Sequence, residues 1–283
     1  MIATKDEIKI CGLEHFSVLQ TFDCGQCFRF DRVENSNHAC EFEGVALGRY
    51  VRFAQDKSDE LYVYGASERE FEGVWRRYLG LDTDYTKIKS DLLARTNSSA
   101  LREAIEYGGG IRILHQEPWE TLCSFIISQN NNIPRIKKII RTLCASLGEN
   151  IDEEYFAFPS PEVMRDAGVA HIFSLKTGFR AKYIIDAAEK VASGELKLDE
   201  VSAATTEEAE RMLCSVKGVG KKVANCAMLF SHAKYDAFPV DVWVRRILDK
   251  YFDADFDPAS LGRYAGIAQQ YLFYYERYLG GQK

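Results

Sequence analysis

Two residues in the C-terminal half of the chain have the types needed for nucleophilic catalysis by an amine. Lys222 follows the turn Gly218-Val219-Gly220, and Asp241 lies in the sequence Pro239-Val240-Asp241-Val242. An amine attacks carbon only after it has lost its proton, and burial or a neighbouring cation such as Lys221 favours that loss. A carboxylate can stabilise a cationic intermediate or transfer a proton. The two residues therefore form a candidate catalytic pair.

Each residue of this pair also has an interpretation without catalysis. Lys222 could be a contact to a phosphate group. Asp241 could be only the N-cap of a helix that begins at Val242, accepting a hydrogen bond from the backbone N–H of Trp243 or Val244. Residue type alone leaves both alternatives open.

The element that would position Lys222 is a helical hairpin at about residues 207–231. A helix ends before Gly218, the glycines permit a tight turn and a close backbone approach, and a second helix follows Gly220. Buried positions of the second helix recur with helical spacing at Val223, Ala227 and Phe230. Backbone N–H groups at such a turn bind anions, and a DNA phosphate is a natural ligand.

The composition of the chain limits the classes of protein to which it can belong. The chain has 283 residues, 46% of them hydrophobic, a net charge of −6 and eight cysteines. No stretch predicts a membrane span or a signal peptide, and the cysteine pattern is typical of reduced thiols, so an intracellular, cytoplasmic protein is expected. Cys24 and Cys27 form one C-x-x-C pair without a second pair at zinc-site spacing, so no metal site is predicted. The acidic charge excludes a broadly basic surface, but cations cluster at Arg135, Lys137, Lys138 and Arg141.

The pattern of elements predicts an α+β fold. Residues 1–110 are expected to form an N-terminal antiparallel β domain, with β-rich segments at Val45–Phe53 and Leu61–Tyr64. Residues 111–283 are expected to form a mostly helical domain that contains the hairpin. Within it, Asn131 or Asn132 is a candidate C-cap, and the last helix is predicted from about Pro258 to Leu279.

Five separate segments of the sequence resemble one known family. The hairpin with its lysine pair and the Pro239–Trp243 segment is similar to the helix-hairpin-helix, Gly/Pro-Asp (HhH-GPD) superfamily of base excision DNA glycosylases, and within it to the 8-oxoguanine DNA glycosylases. The other matching segments are Gly25–Phe30, Gln129–Arg135, Phe179-Arg180 and Tyr264–Phe273. The resemblance extends from about Cys24 to Phe273.

The resemblance assigns roles around the damaged base. It implies that Lys222 forms the Schiff base and that Asp241 supports the developing positive charge. The backbone carbonyl of Gly25 would read the N7–H that distinguishes 8-oxoguanine from guanine. Gln269 would read the base by hydrogen bonding, and the base would stack between Phe273 and Cys226.

The same resemblance assigns contacts to the rest of the DNA. Asn130 would fill the space left by the flipped base, and Arg135 and Arg180 would contact the opposite cytosine. Phe179 would wedge into the base stack where the best-known members have tyrosine. The hairpin residues Gly218, Gly220 and Lys221 would bind phosphate. Trp243 departs from the family, whose best-known members have a phosphate-contacting histidine there.

The resulting expectation is a bifunctional DNA N-glycosylase and AP lyase acting as a monomer on duplex DNA that contains 8-oxoguanine opposite cytosine. No metal or redox cofactor is expected, and the family allows a monovalent cation bound by carbonyls of the hairpin. Two alternatives stay open. One is an HhH-GPD glycosylase for another damaged base, which Lys222 disfavours, since monofunctional branches generally lack that lysine. The other is a non-catalytic helix-hairpin-helix DNA-binding protein.

Overall fold

The N-terminal part of the chain is built around an antiparallel sheet. The computed structural model describes residues 7–152 and 154–280. The sheet has five strands in the order β1-β5-β4-β3-β2. Their bounds are β1 (Glu7–Cys11), β2 (Phe30–Arg32), β3 (Cys40–Ala46), β4 (Arg49–Gln55) and β5 (Glu60–Tyr64). The turn between β3 and β4 has positive φ at Leu47 and Gly48, the geometry that matches the right-handed twist of the paired strands.

Fourteen α-helices, separated by short turns, make up most of the remaining described residues. Their bounds are α1 (Val18–Asp23), α2 (Glu68–Glu70), α3 (Arg76–Tyr78), α4 (Tyr85–Arg95), α5 (Ser99–Tyr107), α6 (Pro118–Ser128), α7 (Ile133–Leu147), α8 (Pro161–Ile172), α9 (Ala181–Ala192), α10 (Leu198–Ala203), α11 (Thr206–Cys214), α12 (Lys221–Ser231), α13 (Val242–Tyr251) and α14 (Ala265–Gly280). A π-helical turn, Phe71–Trp75, joins α2 to α3, and a two-stranded ribbon of β6 (Asn150–Asp152) and β7 (Tyr155–Phe156) follows α7. The predicted α+β class, with a sheet followed by helices, is confirmed.

Two apolar cores organise these elements. Aromatic side chains such as Phe53 and Trp75 fill the smaller core, between the sheet and the α2–α3 segment. The larger core lies among the helices and includes residues of α4 and α5. Cys24 and Phe28, in the loop that follows α1, also belong to the larger core. This loop therefore connects the sheet to the helices, and the predicted domain boundary at residue 110 stays a prediction.

The prediction that the last helix begins at about Pro258 is wrong. Residues Pro258–Tyr264 form a 3-10 segment, and Gly262 inside it has φ 70° and ψ −154°, which no α-helix contains. α14 begins only at Ala265. Regular apolar spacing around the glycine suggested a continuous helix, but the positive φ of Gly262 interrupts it. Among the helices of the described residues, none is long and apolar enough to cross a membrane.

Candidate active site

The hairpin places Lys222 in the first turn of α12. Gly218 has φ 77°, and a Cβ atom added there would lie 2.4 Å from the ring of Tyr183, so only glycine fits this turn. Gly220 is the N-cap of α12 and provides no side-chain cap for the first N–H groups of that helix. These N–H groups face the end of the hairpin, where an anion can bind them. Lys221 is exposed and forms an ion pair with Glu210 at 3.3 Å.

The side chain of Lys222 points away from Lys221 and towards α6. Its Nζ atom lies 5.3 Å from the centroid of the Phe125 ring and 3.4 Å from the hydroxyl oxygen of Ser128. Among the residues that the structure describes, no carboxylate forms an ion pair with this ammonium group. On the α6 side the amine is therefore surrounded by an aromatic face and one hydroxyl group.

Asp241 lies at the N-terminus of α13 and lines a cleft that Lys222 also lines. Its Oδ1 atom accepts a hydrogen bond from the backbone N–H of Val244 over 2.8 Å, and the residue is the N-cap of the helix. The capping interpretation is therefore correct for the structure. It does not exclude a catalytic role, because the cap uses only Oδ1 and a carboxylate has a second oxygen. The cap instead fixes the orientation of the carboxylate in the cleft that Lys222 also lines.

Lys222 and Asp241 line a cleft of about 600 Å³. Its other lining residues include Gly25, Phe125, Ser128, Asn131, Ile133, Trp243, Phe273 and Arg277. A smaller inner pocket of about 60 Å³ adjoins the cleft and shares Lys222, Asp241, Gly25 and Phe273 with it. Cys226 and Gln269 line only the inner pocket. The structure thus brings together every residue predicted for catalysis and for the damaged base.

The geometry of Gly25 explains why this position holds glycine. Its φ is 83°, a value that L-residues rarely adopt, and a Cβ atom there would meet Phe273 Cε1 at 3.5 Å. A side chain at residue 25 would therefore be strained and would project towards the aromatic ring. With glycine, the backbone and the ring of Phe273 form two walls of one slot.

Gln269 carries an unused hydrogen-bonding atom in the inner pocket. The residue is 4% exposed, and its side-chain oxygen has no hydrogen-bond partner among the described residues. A buried acceptor without a partner costs about 1–3 kcal/mol. A donor on a ligand would remove that cost, which is the property expected of a residue that recognises a polar base.

The cysteines near the site behave as neutral, apolar side chains. Burial raises the pKa of the Cys226 thiol more than the adjacent Lys222 lowers it. Burial likewise raises the pKa of Cys24 to about 12. Both thiols are therefore protonated at neutral pH, and the thiol of Cys226 gives the inner pocket a compact neutral wall. Among residues 7–152 and 154–280, no group of three or more His, Cys, Asp or Glu residues is arranged to hold a metal ion.

The predicted wedge lies in the turn between α6 and α7. Asn130 is exposed with φ 48°, an uncommon backbone conformation that asparagine tolerates. Asn131 caps the end of α6 by donating to Ile127 O over 3.2 Å, as predicted. Asn132 instead caps the start of α7 by accepting from Arg135 N over 3.0 Å. The side chain of Arg135 is exposed beside this turn.

Arg180 does not extend freely into solvent. It is 4% exposed, and its guanidinium donates to the carbonyl oxygens of Gln129, Asn130 and Thr177. Burial, aided by the nearby charge of Arg135, lowers the pKa of Arg180. Phe179 covers the guanidinium, with Arg180 Cζ 4.4 Å from the ring centroid, and is itself 52% exposed. In this structure Arg180 supports the turn that carries Asn130, while the contact with cytosine stays a prediction.

Sequence reasoning did not identify Phe125, Ser128 and Gln270 as site residues. Phe125 and Ser128 lie three residues apart on α6, and helical spacing alone places them on one face without showing what that face meets. Gln270 adjoins the predicted Gln269, but only the folded chain brings it to the loop at Cys24. These contacts join segments that are far apart in sequence.

Comparisons with known families match nearly the whole chain. Residues 10–122 match a family model described as "8-oxoguanine DNA glycosylase, N-terminal domain". Residues 123–260 match one described as "HhH-GPD superfamily base excision DNA repair protein".

Individual relatives agree with these matches. The chain is 30% identical over 281 residues to an N-glycosylase/DNA lyase of Arabidopsis thaliana, covering 89% of this chain and 75% of the relative. It is 41% identical over 153 residues to an N-glycosylase/DNA lyase of Saccharomyces cerevisiae, a match that spans only 41% of that relative and 49% of this chain. A solved structure of the Clostridium acetobutylicum 8-oxoguanine glycosylase/lyase, in complex with double-stranded DNA containing cytosine opposite 8-oxoguanine, superposes with a TM-score of 0.87 at 38% identity. It covers 98% of this chain and 97% of that one.

Proposed function

Because the chain belongs to the HhH-GPD superfamily of base excision DNA repair proteins, in its 8-oxoguanine DNA glycosylase branch, we propose that it removes 8-oxoguanine from duplex DNA through a Schiff base on Lys222. AP lyase cleavage of the DNA strand follows from the same intermediate. The observation that carries the proposal is the shared cleft of Lys222, Asp241, Gly25 and Phe273. An amine, a carboxylate and a slot for a flat ring meet there.

The reaction begins when the neutral amine of Lys222 attacks C1′ of the damaged nucleotide. The bond from C1′ to N9 breaks, and its electron pair leaves with the base, which takes up a proton. Opening of the sugar ring gives an iminium ion that links lysine to DNA. Asp241 stabilises the positive charge that develops on the sugar, because its carboxylate is held in the cleft by the cap at Val244.

Strand cleavage uses the iminium as an electron sink. Loss of a proton from C2′ gives an enamine with a double bond between C1′ and C2′. As the iminium forms again, this electron pair becomes a C2′–C3′ double bond, and the 3′ phosphate leaves with the electron pair of the broken C3′–O bond. Hydrolysis of the remaining iminium frees Lys222. Together these steps use the amine of Lys222, a base that accepts the C2′ proton, and water. The monovalent cation allowed at the hairpin stays a prediction, and no step depends on it.

Recognition of the base requires its extrusion from the duplex, because the cleft cannot reach C1′ or the two faces of the base while the base is stacked. The extruded ring stacks on Phe273, and the carbonyl of Gly25 accepts the N7–H of 8-oxoguanine. Gln269 then supplies its unpaired buried oxygen to a donor on the base. Guanine lacks the hydrogen at N7, so it presents an acceptor to the Gly25 carbonyl and is disfavoured.

The proposed partner is duplex DNA. It would bind to the hairpin and to the exposed residues at the turn between α6 and α7, here called the wedge turn. Lys221, Lys138 and Arg135 are exposed on these elements, so the cationic contacts are local although the chain has a net charge of −6. Binding should weaken with salt, because each phosphate contact releases counterions. Preference for cytosine opposite the lesion, a monomeric state and an intracellular location belong to the same proposal.

The direct test uses four duplexes with one 8-oxoguanine opposite cytosine, adenine, guanine or thymine. Base release, strand nicking and trapping by borohydride are measured on each, since borohydride converts only a Schiff base into a permanent protein–DNA adduct. The proposal expects all three signals, with the fastest release opposite cytosine. Duplex binding without any adduct would instead indicate a non-catalytic protein, and an adduct only with another lesion would indicate a different glycosylase.

A further inference from the structure

Gln270 lines the inner pocket next to Gln269, and its side-chain amide contacts the loop that carries Gly25. The side chain of Gln270 is 3% exposed, and its Nε2 atom donates to the backbone carbonyl of Cys24 over 2.6 Å. The hydrogen bond joins α14 to a residue 246 positions earlier in the chain. The family resemblance assigns no role to residue 270.

The loop at Cys24–Gly25 has further anchors, each on a different atom. Gln26 is fully buried and donates to Thr21 O over 2.8 Å and to Arg112 O over 2.9 Å. On the outer side, Arg277 donates to Asp23 O over 2.8 Å. Among the described residues, Gln270 is the only one that donates a hydrogen bond to the carbonyl of Cys24, which directly precedes Gly25.

The position of this bond matters because of the peptide geometry. The carbonyl of Cys24 and the N–H of Gly25 belong to one planar peptide unit, so fixing the oxygen fixes the plane. Gly25 then has φ 83°, and glycine alone would leave this torsion free over a wide range. With the plane held by Gln270, the direction of the Gly25 carbonyl depends on fewer torsions. The same helix carries Phe273, so one rigid element sets both walls of the slot.

We propose that Gln270 is a positioning residue for lesion discrimination, which holds the Cys24–Gly25 peptide so that the Gly25 carbonyl meets N7–H of an extruded 8-oxoguanine. The inference rests on the proposed function and adds to it a residue whose amide donor is bonded to the Gly25 loop. Loss of the anchor should weaken selection of 8-oxoguanine over guanine. It should not weaken the lysine chemistry, because Lys222 lies on α12 and is held by other contacts.

Two substrates separate these effects. Excision of 8-oxoguanine requires the slot, whereas cleavage of a duplex with a preformed abasic site requires Lys222 but offers no base to read. Gln270→Met keeps the length of the side chain and removes the donor. Single-turnover excision by this variant should fall about tenfold, the factor that corresponds to one lost hydrogen bond. Cleavage of the abasic duplex should stay unchanged.

Binding gives the second readout. In a Lys222→Gln background, which cannot react, Gln270→Met should lower affinity for the 8-oxoguanine duplex about tenfold and leave affinity for the matching guanine duplex unchanged. Tyr275→Phe is the matched control, since it removes a hydrogen bond of 2.6 Å from α14 to Glu103 without touching the loop. This control should keep both the excision rate and the selectivity.

The outcomes separate a failure of the proposed function from a failure of the positioning role of Gln270. If the unmodified protein releases no 8-oxoguanine, the proposed function fails and this inference with it. If it does, and Gln270→Met excises at the normal rate or loses abasic-site cleavage equally, only the positioning role is overturned. Should Gln270→Met fail to fold, Gln270→Asn keeps an amide with a shorter reach, and the same two rates decide the question.

Discussion

Arg180 donates a hydrogen bond to the backbone carbonyl of Asn130 over 3.0 Å. The residue assigned to reading the opposite cytosine therefore also supports the residue assigned to filling the space of the flipped base. Further bonds reach Gln129 O and Thr177 O, and the side chain is 4% exposed. The proposed contact with cytosine would draw on the same guanidinium that supports the turn, so a change at Arg180 should affect both.

Arg180→Ala should consequently act on the turn as well as on base reading. The carbonyls of Gln129, Asn130 and Thr177 would lose a charged donor, and a buried carbonyl left unsatisfied, such as that of Thr177, costs about 1–3 kcal/mol. We expect a lower melting temperature and slower excision opposite all four bases. Thermal unfolding and single-turnover excision measure these effects. A variant with unchanged stability that lost only its cytosine preference would assign Arg180 to base reading alone.

Lys222→Gln should abolish base release and borohydride trapping while binding to the duplex persists. Gln cannot form a Schiff base, but it keeps a polar side chain of similar size in the cleft. The control is Lys221→Gln, which removes an exposed cation paired with Glu210 and should weaken binding slightly. Trapping by Lys222→Gln, or its loss in Lys221→Gln alone, would show that the nucleophile is a different residue.

Asp241→Asn should separate charge from capping. Asparagine caps a helix about as well as aspartate, so the hydrogen bond to Val244 and the melting temperature should be retained. Turnover should fall strongly, because a neutral amide cannot stabilise the positive charge that develops on the sugar. Single-turnover excision and thermal unfolding are measured together. Normal turnover would reduce Asp241 to a helix cap.

Local patterns in the sequence predicted the two elements that carry Lys222 and Asp241, whereas Gly25, Cys226, Gln269 and Phe273 were assigned only by the family resemblance. Glycines followed by a lysine pair predicted the hairpin, and Pro239 before Asp241 predicted a helix start with an aspartate cap, as the structure has it. Such features depend on residues within one or two turns of each other. The α+β class also followed from the order of β-rich and helical segments.

What the sequence did not reveal depends on contacts between distant segments. The helix α4 lies within the residues expected to form the β domain, and its buried face is defined by packing in the larger core. Asn132 was considered as a C-cap, but it caps the next helix because Ile133 starts α7 at once. The bonds of Arg180 to Gln129 and Asn130 join residues 51 and 50 positions apart, and no local pattern encodes them.

Gly25→Ala should impair base recognition beyond its effect on stability. The positive φ of 83° should cost about 1–2 kcal/mol for alanine. The new methyl group would also approach Phe273 and narrow the slot. Gly194→Ala is the matched control, since it has φ 77° with open space around it and lies outside the site. Both variants should lose similar stability in thermal unfolding, but only Gly25→Ala should lose excision of 8-oxoguanine. Equal excision by the two variants would place Gly25 outside the recognition site.

Choice of the opposite base should depend on Arg135. Its side chain is exposed beside the wedge turn, with its backbone fixed by the cap at Asn132, so the guanidinium is free to enter the space opposite the lesion. An arginine can donate to the acceptors of an unpaired cytosine, whereas adenine presents a donor there, and each good contact discriminates by about 1–3 kcal/mol.

Arg135→Ala should therefore flatten the rates of single-turnover excision opposite cytosine, adenine, guanine and thymine. Lys138→Ala removes an exposed cation from the same helix and should slow all four reactions by a similar factor, which separates base reading from general attraction to DNA. The preference of the unmodified protein should be weaker than in relatives with a tyrosine at the position of Phe179, because that hydroxyl is absent. A strong cytosine preference that survives Arg135→Ala would transfer the reading to Arg180, and its guanidinium would then have to leave the carbonyls of Gln129 and Asn130 when DNA binds.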